Sequence, residues 1–140
     1  MPQRPYDLQV VTPGRVVLSD SVVSLIAPGV EGKFGVLARH APLVAELGIG
    51  PLTIAYPDGQ RELVAVAGGF LEVSARGVIV LADAAERAAE IDIERAEAAR
   101  RRSEQRMSAE AAEADIDMER ARLALLRALN RLNVGRQARR

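Results

Sequence analysis

The chain has 140 residues, no net charge at pH 7 and no cysteine. The lack of cysteine excludes disulfides, thiol catalysis and zinc sites with Cys ligands. Its one histidine, His40, is too few for a metal cluster built on imidazoles. No stretch approaches the roughly 18 apolar residues that span a bilayer. The first residues also lack the apolar core of a secretory signal, so a cytoplasmic protein is expected.

Glycine and proline divide the chain into two parts. All seven prolines lie at or before Pro57, and ten of the eleven glycines lie at or before Gly77. The remainder is rich in Ala, Glu and Arg, which favour helix, whereas Gly and Pro mark turns between strands. This division predicts a β domain over residues 1–84 and a helical domain over residues 85–140.

The first part alternates short β-branched segments with turn residues. Two hairpin turns are predicted, at residues 57–60 (PDGQ) and at residues 75–77 (ARG). Several short strands at regular spacing are typical of an antiparallel β-sandwich or barrel rather than a parallel sheet. An antiparallel β-sandwich is therefore expected, although the pattern does not give the order of its strands.

The second part has apolar residues at helical spacing. Two helices are predicted, from about Ala85 to Arg106 and from about Ala112 to Val134. The connection between them is short, which favours an antiparallel two-helix hairpin. Ser108 and Asp115 are the candidate N-caps of the second helix. The Arg-rich residues 136–140 are expected to fray.

The faces that the two helices offer each other differ in size. The predicted face of the first helix consists of Ala85, Ala88, Asp92, Ala96, Ala99, Ser103 and Met107. The predicted stripe of the second helix consists of Met118, Leu125, Leu129 and Leu132. Alanine buries little area, whereas a buried Leu contributes roughly 1.5–3 kcal/mol. Because this core is thin, the hairpin is predicted to be only marginally stable. It could therefore leave one binding surface for another to which it binds more tightly.

Arginines repeat the same spacing on both predicted helices. The two sets, each spaced by seven and then four residues, are Arg95, Arg102 and Arg106, and Arg120, Arg127 and Arg131. In an antiparallel hairpin, Arg95 approaches Arg127 and Arg131, and clustered guanidinium groups favour an anion such as phosphate between them. Asp92 lies one turn before Arg95 and could orient it. On spacing alone, however, a solvated face with Arg–Glu pairs is favoured over an anion site.

Sequence motifs of common enzymes are missing. The chain contains no phosphate-binding loop, no dinucleotide-binding glycine pattern, no serine-hydrolase elbow and no zinc-protease motif. An alternative function is nucleic-acid binding by the Arg-rich stretch 120–140. Zero net charge and only four aromatic residues weigh against that alternative.

Four segments, in order along the chain, resemble the epsilon subunit of bacterial F-type ATP synthase. They are residues 35–44 (GVLARHAPLV), 66–73 (VAGGFLEV), 80–92 (VLADAAERAAEID) and 127–132 (RALNRL). The resemblance covers nearly the whole chain, and the fold that it implies is a β-sandwich followed by a two-helix hairpin. This fold agrees with the one predicted from composition and periodicity.

The resemblance implies a non-catalytic subunit of the rotor, peripheral to the cytoplasmic face of the bacterial membrane. The sandwich would bind the gamma subunit and the c-ring, with Glu31, His40, Ala41 and Pro42 in loops that face the c-ring. The helical arm would switch between a folded state and an extended state. When extended, it would reach the alpha and beta subunits and block ATP hydrolysis.

The resemblance also implies a regulatory ATP site, with no other cofactor required. Residues 91–96 (IDIERA) match the motif through which some members of the family bind ATP on the folded hairpin. The residues to which the resemblance extends this role are Glu86, Asp92, Arg95, Arg102, Arg127 and Arg131. With the resemblance included, a nucleotide site is favoured over a merely solvated Arg face. ATP would then stabilise the folded arm.

Overall fold

The computed structural model describes residues 3–110 and 118–138, which form two compact units divided after Arg87. The first unit is a sheet of seven strands. The strands are β1 (Tyr6–Val11), β2 (Val16–Val22), β3 (Ser24–Gly29), β4 (Gly32–Val36), β5 (Leu43–Ala55), β6 (Arg61–Ser74) and β7 (Gly77–Arg87). The second unit contains a short 3₁₀ turn and the helices α1 (Ile93–Glu110) and α2 (Met118–Gln137). No helix of the described residues has the length and apolar character needed to cross a bilayer.

The strands lie in the order β2-β1-β7-β6-β5-β3-β4. All pairs are antiparallel except β1 and β7, which run parallel and bring the two ends of the unit together. The sheet surrounds one apolar core that receives side chains from all seven strands. The β unit was therefore predicted correctly, but the parallel pair was not.

Both predicted hairpin turns are confirmed. The first joins β5 to β6, and within it the Asp58 carboxylate accepts a hydrogen bond of 2.9 Å from the backbone N–H of Gln60. Gly59 in that turn and Gly77 in the second have φ of 88° and 123°. These left-handed conformations favour glycine, which is why the glycines in the sequence predicted both turns.

The side of the sheet that faces the core changes halfway along the central strands. In β6, the residues of the apolar core are the even-numbered Val64 and Val66 and then the odd-numbered Leu71 and Val73. Gly68 and Gly69 lie between them, with φ of 78° and 115°. The neighbouring strands change in the same way, between Leu47 and Leu52 in β5 and between Ala82 and Ala85 in β7. The glycines let β6 bend, so that one continuous sheet folds over its own core.

Replacing Gly69 with alanine is expected to lower the free energy of unfolding by about 2–4 kcal/mol, as measured by urea unfolding. A Cβ at this position would overlap the carbonyl oxygen of Leu81 and lie 2.7 Å from the Cα of Ala82. Both are backbone atoms of the adjacent strand, so neither moves without disturbing the sheet.

Two other glycines provide matched controls for that substitution. Gly59 also has a positive φ, but a Cβ there meets nothing within 4 Å, so Gly59→Ala is expected to cost only about 1 kcal/mol. Gly14 has neither a positive φ nor a neighbour within 4 Å of an added Cβ, so Gly14→Ala should leave the free energy of unfolding almost unchanged. A Gly69→Ala variant no less stable than Gly59→Ala would show that close packing does not require glycine here.

The stability of the β unit is expected to fall between about pH 10 and pH 12. The half-buried Tyr6 hydroxyl donates a hydrogen bond of 2.6 Å to the carbonyl oxygen of Val36, and burial raises its pKa to about 12. Above about pH 10 the unfolded chain gains stability by ionising Tyr6, while the folded chain keeps it neutral. The contribution is therefore complete below pH 10 and is lost as the pH rises through 12.

The Tyr6→Phe variant tests this pH dependence. Unfolding followed from pH 9 to pH 12 should show a shallower loss of stability than in the wild type. Some loss should persist, because burial, followed by the hydrogen bond to Glu62, also raises the pKa of Tyr56. Identical slopes for the variant and the wild type would exclude Tyr6 as the source.

The first helix starts later than predicted. The prediction that it begins near Ala85 is wrong, because Ala85 pairs with Val66 and is buried in the core of the β unit. Instead, Asp92 caps α1, since its carboxylate accepts a hydrogen bond of 3.1 Å from the backbone N–H of Arg95. The predicted end near Arg106 and the candidate N-cap Ser108 are also wrong, because α1 continues through both positions to Glu110.

The second helix was predicted in part. Its predicted start near Ala112 and the candidate cap Asp115 lie outside the described residues. Its end was placed too early, because α2 continues beyond Val134 to Gln137. Arg136, expected to fray, is helical.

The two helices are antiparallel and meet along a seam of small residues. Gly135 near the end of α2 lies against Ile91 and Ile93 at the start of α1, so the chain directions oppose each other. The seam contains Ala96 and Ser103 of α1 and Ala121, Ala128 and Leu132 of α2, all buried. The predicted face of α1 is thus confirmed in part: Ala96 and Ser103 are buried, Ala99 and Met107 are half-buried, and Asp92 is exposed. The predicted stripe of α2 is partly wrong, because Met118 and Leu129 are exposed.

Candidate functional site

The β unit exposes a row of apolar side chains that runs across four neighbouring strands. The pairings Val16 with Val11, Val11 with Leu81, and Leu81 with Phe70 place these residues side by side on the outer side of the sheet. Leu81 and Phe70 are each 52% exposed. We call this surface the outer apolar face; its exposed members are Val16, Val44, Phe70, Ile79 and Leu81.

The outer apolar face lies where strand alternation would normally place polar residues. In β6, Leu71 points into the core, so its neighbour Phe70 points out. In β7, Val80 is buried and Leu81 is exposed for the same reason. Contiguous exposed apolar surface of this kind marks an interaction site. This face was not predicted from the sequence, although adjacent apolar residues in a half-buried strand indicate that both of its sides are apolar.

Two acidic residues lie next to the apolar side chains of this face. Glu46 pairs with Phe70, whereas Glu72 pairs with both Val44 and Ile79 and so lies between them; both are exposed. A partner that fits the face would therefore combine apolar side chains with basic groups.

The helical hairpin has two flanks, one on each side of its seam. Glu97 lies on one flank, where it forms an ion pair of 2.9 Å with Arg136 of the other helix. Successive helical residues are turned by about 100°, so Arg95 and Glu97, on either side of the buried Ala96, point to opposite flanks. Arg102 lies within about 20° of Arg95 by the same count.

The second helix contributes to the same flank as Arg95. Arg127 comes one residue before the buried Ala128, and Arg131 comes three residues after it. At about 100° per residue, both side chains point to the flank opposite Glu97. Gly135 lies against Ile93, and Arg131 is about one turn before Gly135 in α2. Because the helices are antiparallel, Arg131 is level with about residue 97 of α1. The hairpin thus brings together four predicted site residues, here called the Arg flank, which consists of Arg95, Arg102, Arg127 and Arg131.

The two flanks differ in how their charges are paired. On the Glu97 side, Glu97 binds both Arg100 and Arg136, and Arg100 also binds Glu104 at 2.7 Å. On the Arg flank, Arg95, Arg102 and Arg127 form no ion pair with any side chain between residues 3 and 108 or between residues 118 and 138. The alternative of a face with Arg–Glu pairs therefore fits the Glu97 side, whereas three arginines of the other flank are suited to an anion.

The two carboxylates predicted for the nucleotide site lie in different units. Asp92 caps α1 and thereby fixes the backbone that carries Arg95. Glu86 lies on β7, paired with Ala65, so it belongs to the β unit rather than to the helical hairpin.

The residues predicted to face the c-ring lie at opposite ends of β4. Glu31 is exposed in the turn between β3 and β4, whereas His40, Ala41 and Pro42 follow β4 in the connection to β5. In that connection the His40 Nδ1–H donates a hydrogen bond of 2.8 Å to the carbonyl oxygen of Ala41. The structure therefore does not bring Glu31 together with His40. Among the described residues, no group of His, Asp or Glu could hold a metal ion.

The fold defines a protein with a β unit that has an exposed apolar face, followed by an antiparallel two-helix hairpin that carries the Arg flank. Residues 5–88 match the family model of the β-sandwich domain of ATP synthase delta/epsilon chains. Residues 89–135 match the model of the long α-helix domain of the same chains. The chain belongs to this family, and the predicted β-sandwich followed by two helices is confirmed.

Relatives and solved structures agree with this assignment. The epsilon chain of Pelotomaculum thermopropionicum is 52% identical over 108 residues, which is 77% of this chain and 80% of that one. That of Natranaerobius thermophilus is 41% identical over 140 residues, covering 99% and 98% of the two chains. A chain in the Euglena gracilis mitochondrial ATP synthase has the same fold, with a TM-score of 0.75 at 22% identity. The match covers 99% of this chain and 82% of that one.

Proposed function

We propose that this chain is a non-catalytic subunit in the central stalk of an F-type ATP synthase. Its β unit docks to the rotor, and its helical hairpin regulates ATP hydrolysis. The observation that carries the proposal is the family match along both units, together with relatives that are ATP synthase epsilon chains. The chain would be peripheral to the membrane, held there by the complex.

The gamma subunit would bind at the outer apolar face. That surface offers Phe70 and Leu81 side by side, both about half exposed, with the acidic residues Glu46 and Glu72 next to its apolar side chains. Aromatic side chains such as that of Phe70 contribute much of the binding energy of interfaces. Contact with the c-ring through Glu31 and through His40, Ala41 and Pro42 stays a prediction, and it would use two separate loops.

The hairpin has the physical properties of a movable arm. Its seam is mostly alanine, so leaving one packing arrangement for another sacrifices little buried apolar area. In the extended state it would reach the alpha and beta subunits and slow ATP hydrolysis.

ATP would bind along the Arg flank and hold the hairpin closed. Guanidinium groups from both helices converge there, and phosphate between them would relieve their mutual repulsion. Ligand that binds only the closed hairpin stabilises it by RT ln(1 + [L]/Kd), about 2.7 kcal/mol at a hundredfold excess over Kd. Asp92 would act by fixing the start of α1, while the contribution of Glu86 stays a prediction.

Co-purification with an alpha-beta-gamma complex tests the docking role. A truncated chain for this purpose should end at Arg87 rather than at residue 84. Ala85 fills the core of the β unit, and Arg87 forms an ion pair of 2.6 Å with Glu62. Both the full chain and the truncated chain should bind. Loss of binding by a truncated chain that is still folded by circular dichroism would contradict docking through the β unit.

A further inference from the structure

A cavity at one end of the β unit is lined by arginines to which the proposed function assigns no role, although His40 and Pro42 of the predicted c-ring contact also line it. It has a volume of about 650 Å³ and lies where β1 begins and where β6 turns into β7. Its lining includes the buried Val36, Val73 and Val78 as well as the exposed Arg39 and Arg76. Its volume and its mixture of apolar and charged walls are typical of small-molecule sites.

The charged residues at this cavity are mostly basic. Arg39 and Arg76 line it, and Asp7 is its one acidic lining residue. Neither arginine forms an ion pair with any residue in the part of the chain that the structure describes. Arg39 also lines a smaller adjoining cavity of about 170 Å³ that includes Arg4. Three arginines therefore surround the same end of the unit.

The backbone at Arg39 is held in an unfavourable conformation. Its φ is 64°, and it is the one residue other than glycine with a positive φ among those described. The left-handed region suits glycine or asparagine and is unfavourable for a long side chain. Such strain is concentrated at binding sites, where the surrounding structure holds a residue in place for its side chain.

We propose that this cavity is a second anion site, distinct from the Arg flank, which holds the phosphate group of a small phosphate ester. Arg39 and Arg76 would bind the phosphate through their planar forks. Val36, Val73 and Val78 would contact the hydrocarbon part of the ester. A free metabolite and an anionic lipid headgroup share this chemistry. The site lies entirely within the β unit, so it does not depend on ATP binding by the hairpin.

Titration with glycerol 3-phosphate, followed by amide NMR of the full chain, tests the site. The protein should carry Arg95→Ala and Arg127→Ala, so that the hairpin does not compete for phosphate. Saturable shifts are expected at residues 39–40 and 75–78. Arg39→Asn and Arg76→Asn should each weaken binding at least tenfold. Asparagine tolerates the left-handed conformation, so the first substitution removes the charge without adding strain.

Arg61→Asn is the matched control, because it removes the same charge from an exposed position at the start of β6. Co-sedimentation with phosphatidylglycerol vesicles, compared with phosphatidylcholine vesicles, distinguishes a lipid headgroup from a soluble ester. Binding of either probe that depends on Arg39 and Arg76 supports the proposal and identifies the source. Binding of neither probe, or equal loss with Arg61→Asn, would overturn it.

Discussion

Phe70→Asp is expected to weaken binding of the gamma subunit at least a hundredfold, which corresponds to about 2.7 kcal/mol. Phe70 is 52% exposed and points away from the core, so the fold should tolerate the change. A buried carboxylate at the centre of an apolar interface would lack a partner and would be costly to desolvate. Leu81→Asp, on the adjacent strand, should have the same effect. Surface plasmon resonance with immobilised gamma measures both variants.

Ile26→Asp is the control for these substitutions. Ile26 is an exposed apolar residue of similar size on β3, outside the outer apolar face, and is 44% exposed. Its replacement should leave the affinity unchanged. Wild-type affinity in both Phe70→Asp and Leu81→Asp would place the gamma subunit on another surface.

ATP is expected to bind the isolated chain, and Arg95→Ala or Arg127→Ala should each lower the affinity by about ten- to a hundredfold. A hydrogen bond to a charged group contributes about 1.5–3 kcal/mol, which gives this range. These two residues lie on different helices, so similar losses would show that the ligand spans the seam. Isothermal titration calorimetry at millimolar ATP measures the effect directly.

Arg122→Ala is the matched control for the calorimetry. Arg122 lies on α2 but pairs with Glu119 at 2.6 Å, and the helical count places it away from the Arg flank. Arg122→Ala removes one positive charge, as Arg95→Ala and Arg127→Ala each do. A general electrostatic effect would therefore lower the affinity for ATP in all three variants. The absence of heat from the wild type, or equal losses in all three, would contradict a site on the Arg flank.

Local signals made parts of the fold predictable. The turns at Gly59 and Gly77 were found because their positive φ favours glycine, and that preference appears in the sequence itself. The parallel pairing of β1 with β7 was not predictable in this way. It joins segments from the two ends of the β unit, and no local pattern records which strand will be a distant neighbour.

The error at the end of β7 has a specific cause. Residues 84–90 (AAERAAE) are good helix formers, so propensity placed the start of the helix near Ala85. The sheet overrides that preference, since Ala85 pairs with Val66 and fills the core, while Arg87 pairs with Glu62. The helix begins only where Asp92 can cap it.

The candidate sites were predictable to different degrees. The spacing of Arg95, Arg102, Arg127 and Arg131 was enough to place them on one side of an antiparallel hairpin. Which arginines have carboxylate partners was not, because that depends on which flank Glu97 occupies. The outer apolar face was missed because the bend at Gly68 and Gly69 decides whether odd or even positions of β6 face the core.

The ATPase rate of an alpha-beta-gamma complex, measured with the full chain and with the chain ending at Arg87, tests the central claim most directly. That claim is that the β unit docks and the helical hairpin regulates. The full chain should lower the rate, and the truncated chain should bind equally well without lowering it. Equal inhibition by both forms would contradict regulation by the hairpin.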